Sequence, residues 1–395
     1  MKRYPLVFAL LGLIAGLTAR PIAQDTPEDP IKTLVNRLDL EKYKATIKGL
    51  TQFGDRRQGT DRNRAAVDWI ESQLRSYGCT SDRVRYEYNP PPADPNGRGR
   101  GRGRGGLAQG GGRPRGIRAT TAVNTDPMKQ PDEQLRALNT QPTTPGPREA
   151  VYCTKVGTSH PDEMYIVSGH MDGHGWGEAA NDDGSGTALV MELARVLNAA
   201  DVHTERTIRF VLWNNEETGS QAARAYIAQR EALQGKEDPP GSGRYPEPKW
   251  LGLIQHDMML FDHGMPLADG TMPKEQRPEA DVNIEFQVSS KMAAQTQALA
   301  WVVEVANEKY ATDYPASVGS HMTNTDSGPF QDLVPSISLR ENERGTQIGS
   351  GWDPQWHQPT DRYVTYSDKD FRLGLNAAQT TLAALAQLTG AKLSQ

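Results

Sequence analysis

Five side chains of the kinds that bind divalent cations stand between residues 170 and 357: His170, Asp182, Glu217, Asp257 and His357. Imidazole nitrogens and carboxylate oxygens are donors that zinc accepts, three or four of them around one ion. The first lies in Gly169-His170-Met171-Asp172 and the second in Asn181-Asp182-Asp183-Gly184-Ser185-Gly186. The third closes Asn215-Glu216-Glu217, and the fourth closes Gln255-His256-Asp257. The last stands in Trp356-His357-Gln358-Pro359-Thr360-Asp361. Any one of these motifs alone favours a plainer reading, such as a core histidine or a helix N-cap. The ordered set, with the first four each following a short apolar run, points to a metal centre.

Adjacent carboxylates beside such a centre can do hydrolytic chemistry. Of Glu216 and Glu217, one can ligate an ion while the other accepts a proton from an attacking water, and either residue fits either role. Asp182 begins a Gly-Ser-Gly turn, where small neighbours let the backbone fold tightly and bring a carboxylate to two ions at once. Asp183 is the weaker ligand candidate of that pair. Asp172 lies two residues beyond His170, so on an extended chain it shares the same face and is expected to orient the imidazole. Asp361 is expected to buttress His357 in the same way. His160, His174, His203, His256, His263 and His321 have no comparable context and read as structural or exposed.

These residues need strands to deliver them. Residues 150–156, 164–168, 207–213 and 250–254 read as strands, with 282–288 and 334–339 as further ones. Residues 186–198 carry Leu189, Leu193 and Leu197 on one face and read as a helix, as do 221–230, 291–309 and 368–388. Strands alternating with helices predict an α/β fold with a mostly parallel central sheet and helices on both faces. In such sheets ligands gather beyond the carboxyl ends of the strands, which is where the candidates fall. Ahead of this region, residues 31–77 read as helical, Gly78 ends that stretch, and 83–88 alternate as a strand.

The chain has 395 residues, of which 36% are apolar and 24% charged, a composition that excludes fibrous and multi-span membrane classes. Its formal net charge of −5 favours no class of partner, and no specific nucleic-acid binding is expected. Lys2 and Arg3 precede an apolar run from Leu6 to Leu17, too short to span a bilayer comfortably. With small residues after it, residues 1–23 read as a secretory signal, leaving a soluble mature chain in the periplasm or outside the cell. Cys79 and Cys153 are then in an oxidising compartment and can pair, and their spacing is wrong for a zinc cage. Residues 24–88 form a lead-in, 89–148 an insertion and 149–395 the main domain. The insertion is rich in Pro, Gly, Thr and Gln, and residues 97–118 hold seven arginines and no acidic residue. It is expected to be disordered. The tract can touch an anionic surface, although the lack of interleaved aromatics favours a solvated insertion.

Four segments, Ser168–Asp172, Ala180–Gly186, Arg206–Glu217 and His256–Met258, resemble the co-catalytic zinc exopeptidases. That family includes secreted bacterial aminopeptidases, glutamate carboxypeptidases, a lysosomal-type dipeptidase and glutaminyl cyclases. The likeness covers roughly residues 150–390, with a weaker lead-in from residue 31. It implies two zinc ions bridged by Asp182, with His170 and Asp257 at one, Glu217 and His357 at the other, and Glu216 as general base. Departures are Asp183 where many members carry Asn, and Arg362 where Thr is usual. The resemblance implies peptide hydrolysis near a chain terminus, leaning to the amino end. A carboxypeptidase or dipeptidase would need a cation for the terminal carboxylate; Arg340, Asn342 and Arg344 can offer such a grip, although an exposed charged loop is the slightly favoured reading of that segment. Glutaminyl cyclisation uses the same fold with one zinc and sits poorly with an intact five-ligand set. A non-catalytic binding protein would be expected to lack a ligand or the base.

Overall fold

Three N-cap side chains divide the stretch that the sequence pattern reads as one helical lead-in. Asp29 caps α1 (Pro30–Val35), Asp39 caps α2 (Leu40–Thr51) and Thr60 caps α3 (Asp61–Ser76), each accepting from amides of the first turn. The computed structural model describes residues 29–90, 123–264, 267, 269, 271, 273–320, 325–341 and 353–394. In order there follow β1 (Thr80–Tyr88), α4 (Glu133–Asn139), β2 (Gly146–Lys155), β3 (His160–His170), α5 (Gly184–Leu197) and β4 (Val202–His203). Next come β5 (Arg206–Trp213), α6 (Gln221–Arg230), β6 (Lys249–His256), β7 (Val282–Glu285) and α7 (Ala293–Tyr310). The chain closes with β8 (Ala316–Gly319), β9 (Ser336–Arg340), α8 (Asp368–Thr389) and β10 (Lys392–Leu393).

Eight strands form one mixed sheet in the order β1-β2-β5-β3-β6-β9-β7-β8. Its centre, β5-β3-β6-β9, is parallel, as the alternation of strands and helices predicts. The flanks depart from that pattern, because β2 runs antiparallel to both β1 and β5, and β7 runs antiparallel to β9. Alternate residues of β5 face opposite cores. Ile208, Phe210 and Leu212 join a large cluster with α1, α2, α3, α5, α7 and α8. Val211 and Trp213 join a smaller, aromatic-rich cluster with α6, Trp250 and Phe330. Helices therefore cover both faces, and the parallel strands are apolar on both sides.

The insertion departs from expectation. Its C-terminal part is folded: α4 is capped by Asp132, and β2 already begins at Gly146. The polar side chains that read as disorder bond mostly to backbone carbonyls elsewhere. Gln130 donates to the carbonyls of Trp176 and Pro359, Asn139 donates to that of Gly177, and buried Arg148 donates to Gln58 and Thr144. The Gly–Arg tract at 97–118 and the signal at 1–23 lie outside the described residues, as do Asn342 and His321. Cys79 and Cys153 are joined, with their Cα atoms 5.7 Å apart. Among the described residues no helix is long and apolar enough to cross a membrane.

Candidate metal centre

The parallel strands end at one place, and each ending carries chemistry. β3 terminates at His170 itself, which pairs across the ladder with Trp213 at the end of β5. Glu216 and Glu217 follow that Trp after two residues, and Asp257 directly follows β6. Between β3 and α5 the chain must approach the sheet closely. A Cβ at Gly169 would lie 2.8 Å from the Gly186 backbone, so glycine is needed there. Backbone strain gathers here too. Asn215, Met258 and His357 have φ of 61°, 61° and 57°, a left-handed conformation that non-glycine residues adopt mostly where a site demands it.

Two groups of ligand-type atoms result. In the first, His170 Nε2 is 3.2 Å from Asp182 Oδ1 and 3.8 Å from Asp257 Oδ1. In the second, Glu217 Oε2 is 3.0 Å from the Nε2 atoms of both His357 and His174. Asp182 faces both, because its other oxygen, Oδ2, lies 3.1 Å from His357 Nε2. Within each group the ligand atoms lie within 4.8 Å of one another. The fit to divalent cations is physical as well as compositional. Among the described residues, Asp182 Oδ2, Glu217 Oε1 and His174 Nε2 are buried without an acceptable hydrogen bond, although donors and acceptors crowd around them. Nitrogen and oxygen donors packed this way suit zinc.

Charge in the pocket is balanced by protons. Burial opposes a charged His170, but Asp182 and Asp257 outweigh it and hold the imidazole pKa well above its ordinary value. Burial likewise opposes a charged His357, yet Glu217 and Asp182 raise it to about 10. Burial disfavours the Asp182 anion too, and the two imidazoles nevertheless lower its pKa. Cations binding here would displace those protons. Glu216 is different: burial foremost, then Asp326, Glu217 and Asp257, push its carboxyl well upward against His170. Its amide donates to Asp172 Oδ1 at 3.0 Å, which fixes the backbone beneath it.

The adjacent aspartates separate cleanly. Asp183 accepts from the amides of His170, Gly186 and Met258 at 2.9, 2.8 and 3.1 Å, tying together the ends of β3 and β6 and the start of α5. Two expectations about supporting carboxylates are corrected. The chain bends after β3, so His170 Nδ1 meets the carbonyl oxygen of Asp172 at 2.9 Å while the carboxylate stands 3.9 Å away. Asp361 does not reach His357 Nδ1, which has no hydrogen-bond partner among the described residues. It accepts instead from the amides of Asn181 and Asp182, at 2.9 and 3.1 Å, and so sets the backbone of Asp182.

Arg340 is also relocated. It is buried, 3.0 Å from Asp257 Oδ2 and 3.3 Å from Glu285 Oε2, because it closes β9 beside Asp257 and points inward. There it is paired with a ligand candidate. His256 is structural as expected, held between the Ser168 carbonyl and the Thr381 hydroxyl. Sequence reasoning missed His174 and Asp326. Asp326 is buried, and burial, then Asp172 and Asp257, raise its pKa well above normal. It follows no legible strand; His174 stands four residues after His170 between two glycines, which was the available signal.

Known proteins share this arrangement of strands. A zinc aminopeptidase from Bacillus subtilis superposes with a TM-score of 0.59 at 15% identity, covering 89% of this chain and 95% of that one. A glutaminyl cyclase from Porphyromonas gingivalis gives 0.56 at 16% identity, covering 89% and 99%. At such identities the likeness establishes the fold. In sequence, carboxypeptidase Q of Xenopus laevis is 38% identical over 71 residues, 18% of this chain and 15% of that protein. The chain thus matches only a small part of that relative's length. The model of Peptidase family M28 matches residues 151–380, more than half of the chain and the span that holds every strand-end ligand candidate. Fold, strand-end chemistry and family pattern coincide over the same residues, and the chain belongs to Peptidase family M28.

Proposed function

We propose that this protein is a secreted, zinc-dependent exopeptidase that removes residues from the amino end of peptides. The observation that carries the reading is the division of the Asp182 carboxylate, one oxygen toward His170 and the other toward His357. His170, Asp182 and Asp257 would hold one ion, and Asp182, Glu217 and His357 the other. When bound, the two ions supply Lewis-acid polarisation of the scissile carbonyl and an acidified water. The chain's own residues do the rest. Glu216 belongs to neither ligand group, so its carboxyl is left to take a proton from the attacking water and deliver it to the leaving amine. Asp172 fixes the Glu216 backbone, Arg340 orients Asp257, and Asp361 sets Asp182.

Arg340 bears on which end is trimmed. Its pairing with Asp257 and Glu285 engages Arg340 within the protein, which supports the amino end, while Arg344 of the same segment lies outside the described residues. Secretion is supported by the N-terminal pattern together with the Cys79–Cys153 bond, since disulfides persist in oxidising compartments. Glu216→Ala is expected to lower kcat by about 10²- to 10⁴-fold, the usual worth of a general base. Elemental analysis should still find two zinc ions per chain. Turnover unchanged in this variant would remove Glu216 from the role.

A further inference from the structure

We propose that His174 is a protein ligand of the ion at Glu217 and His357, so that the two metal positions are unequal. This inference rests on the two-ion reading above. The resemblance to the zinc exopeptidases carries five ligand positions and none at residue 174, so the assignment comes from this chain's own geometry.

His174 Nε2 lies 3.0 Å from Glu217 Oε2, the same oxygen that His357 Nε2 approaches at the same distance. The two imidazole rings meet edge to face, with centroids 4.0 Å apart and an interplanar angle of 86°. Both therefore bring Nε2 to one carboxylate without stacking against each other. Ligand atoms around a tetrahedral zinc ion, each about 2.0–2.1 Å from it, stand roughly 3.3 Å apart, close to these separations. His174 Nε2 makes no acceptable hydrogen bond to the glutamate it faces, as expected of an atom placed for a third party.

The loop holds His174 there. Gly175 has φ of 98°, and a Cβ on it would lie 2.4 Å from the His357 carbonyl carbon. The two loops are in backbone contact at this point, and shared clamps keep them so. Asn124 donates its amide to the His357 carbonyl and its side chain to that of Gly175, at 3.0 and 3.4 Å. Gln130 bridges the carbonyls of Trp176 and Pro359. The folded end of the insertion thereby fixes both imidazoles relative to one another.

Donor count gives the consequence. With His174, the ion at Glu217 has four protein donors (His174, Glu217, His357 and Asp182), the number typical of closed, anchoring zinc sites. The ion at His170 has three, the number typical of sites that keep a position for substrate. The first should fill first and exchange last.

The test is Zn²⁺ titration of the metal-free full chain against a chromophoric chelator. Wild type should take two ions, and His174→Ala should keep one at wild-type affinity and bind the other about 100-fold or more weakly. Loss of an outer partner typically costs 10–100-fold, so a smaller drop overturns the proposal. Should that variant fail to fold, X-ray absorption of the wild-type protein with two Zn²⁺ decides. Three imidazoles per pair of ions support the assignment, and two contradict it. Wild type that binds no zinc overturns the two-ion reading itself, a failure distinct from loss confined to the variant.

Discussion

The carboxylate of Asp183 accepts hydrogen bonds from three backbone amides, whereas that of Asp182 accepts none from the backbone among the described residues and faces two imidazoles. The two side chains should therefore fail differently when truncated. Asp183→Ala leaves buried amides without acceptors, each costing about 1–3 kcal/mol, and so destabilises even the metal-free protein. Asp182→Ala leaves no backbone amide without its acceptor among the described residues, so it should cost the metal-free protein less than Asp183→Ala does. It should abolish the stabilisation that added zinc gives the wild type through linkage. Urea unfolding with and without chelator measures both effects. At this scale the sequence was legible where a ligand candidate closes a strand or directly follows one, as with His170 and Asp257. It was less legible where a loop brings a residue home: the flanking glycines and the spacing from His170 single out His174 but do not reveal its approach to Glu217. The supporting roles of Asp172 and Asp361 also depend on backbone bends that spacing does not encode.

Among elements, the strand–helix alternation from β2 to α8 could be read from periodicity, because buried parallel strands leave apolar runs bounded by turns. β8 was missed, since it is a short edge strand whose residues are only half-buried. α4 was missed for a different reason. Its surroundings contribute polar side chains to neighbouring carbonyls rather than apolar area to a core, and composition cannot tell that use from disorder. β1 and β2 form an edge hairpin around the whole insertion, and the Cys79–Cys153 bond, spanning 74 residues, clamps its base. Chain-entropy arguments assign about 4 kcal/mol to closing a loop of that length. Cys79→Ser with Cys153→Ser should lower unfolding free energy by up to about that amount, measured by urea unfolding under non-reducing conditions. A loss below about 1 kcal/mol would show that packing of β1 on β2 closes the loop unaided.

At the level of the molecule, a mixed sheet covered on both faces presents the carboxyl ends of its central strands at one site, as such folds do. Membership of family M28 and this strand-end geometry make peptide hydrolysis the reading to test. The direct measurement is mass spectrometry of a defined peptide mixture, with free and blocked termini, incubated with zinc-loaded protein and with Glu216→Ala. Stepwise loss of residues from free amino ends, absent in the variant and in chelator, is the predicted result. Intact peptides after prolonged incubation with wild-type protein carrying two zinc ions would contradict it.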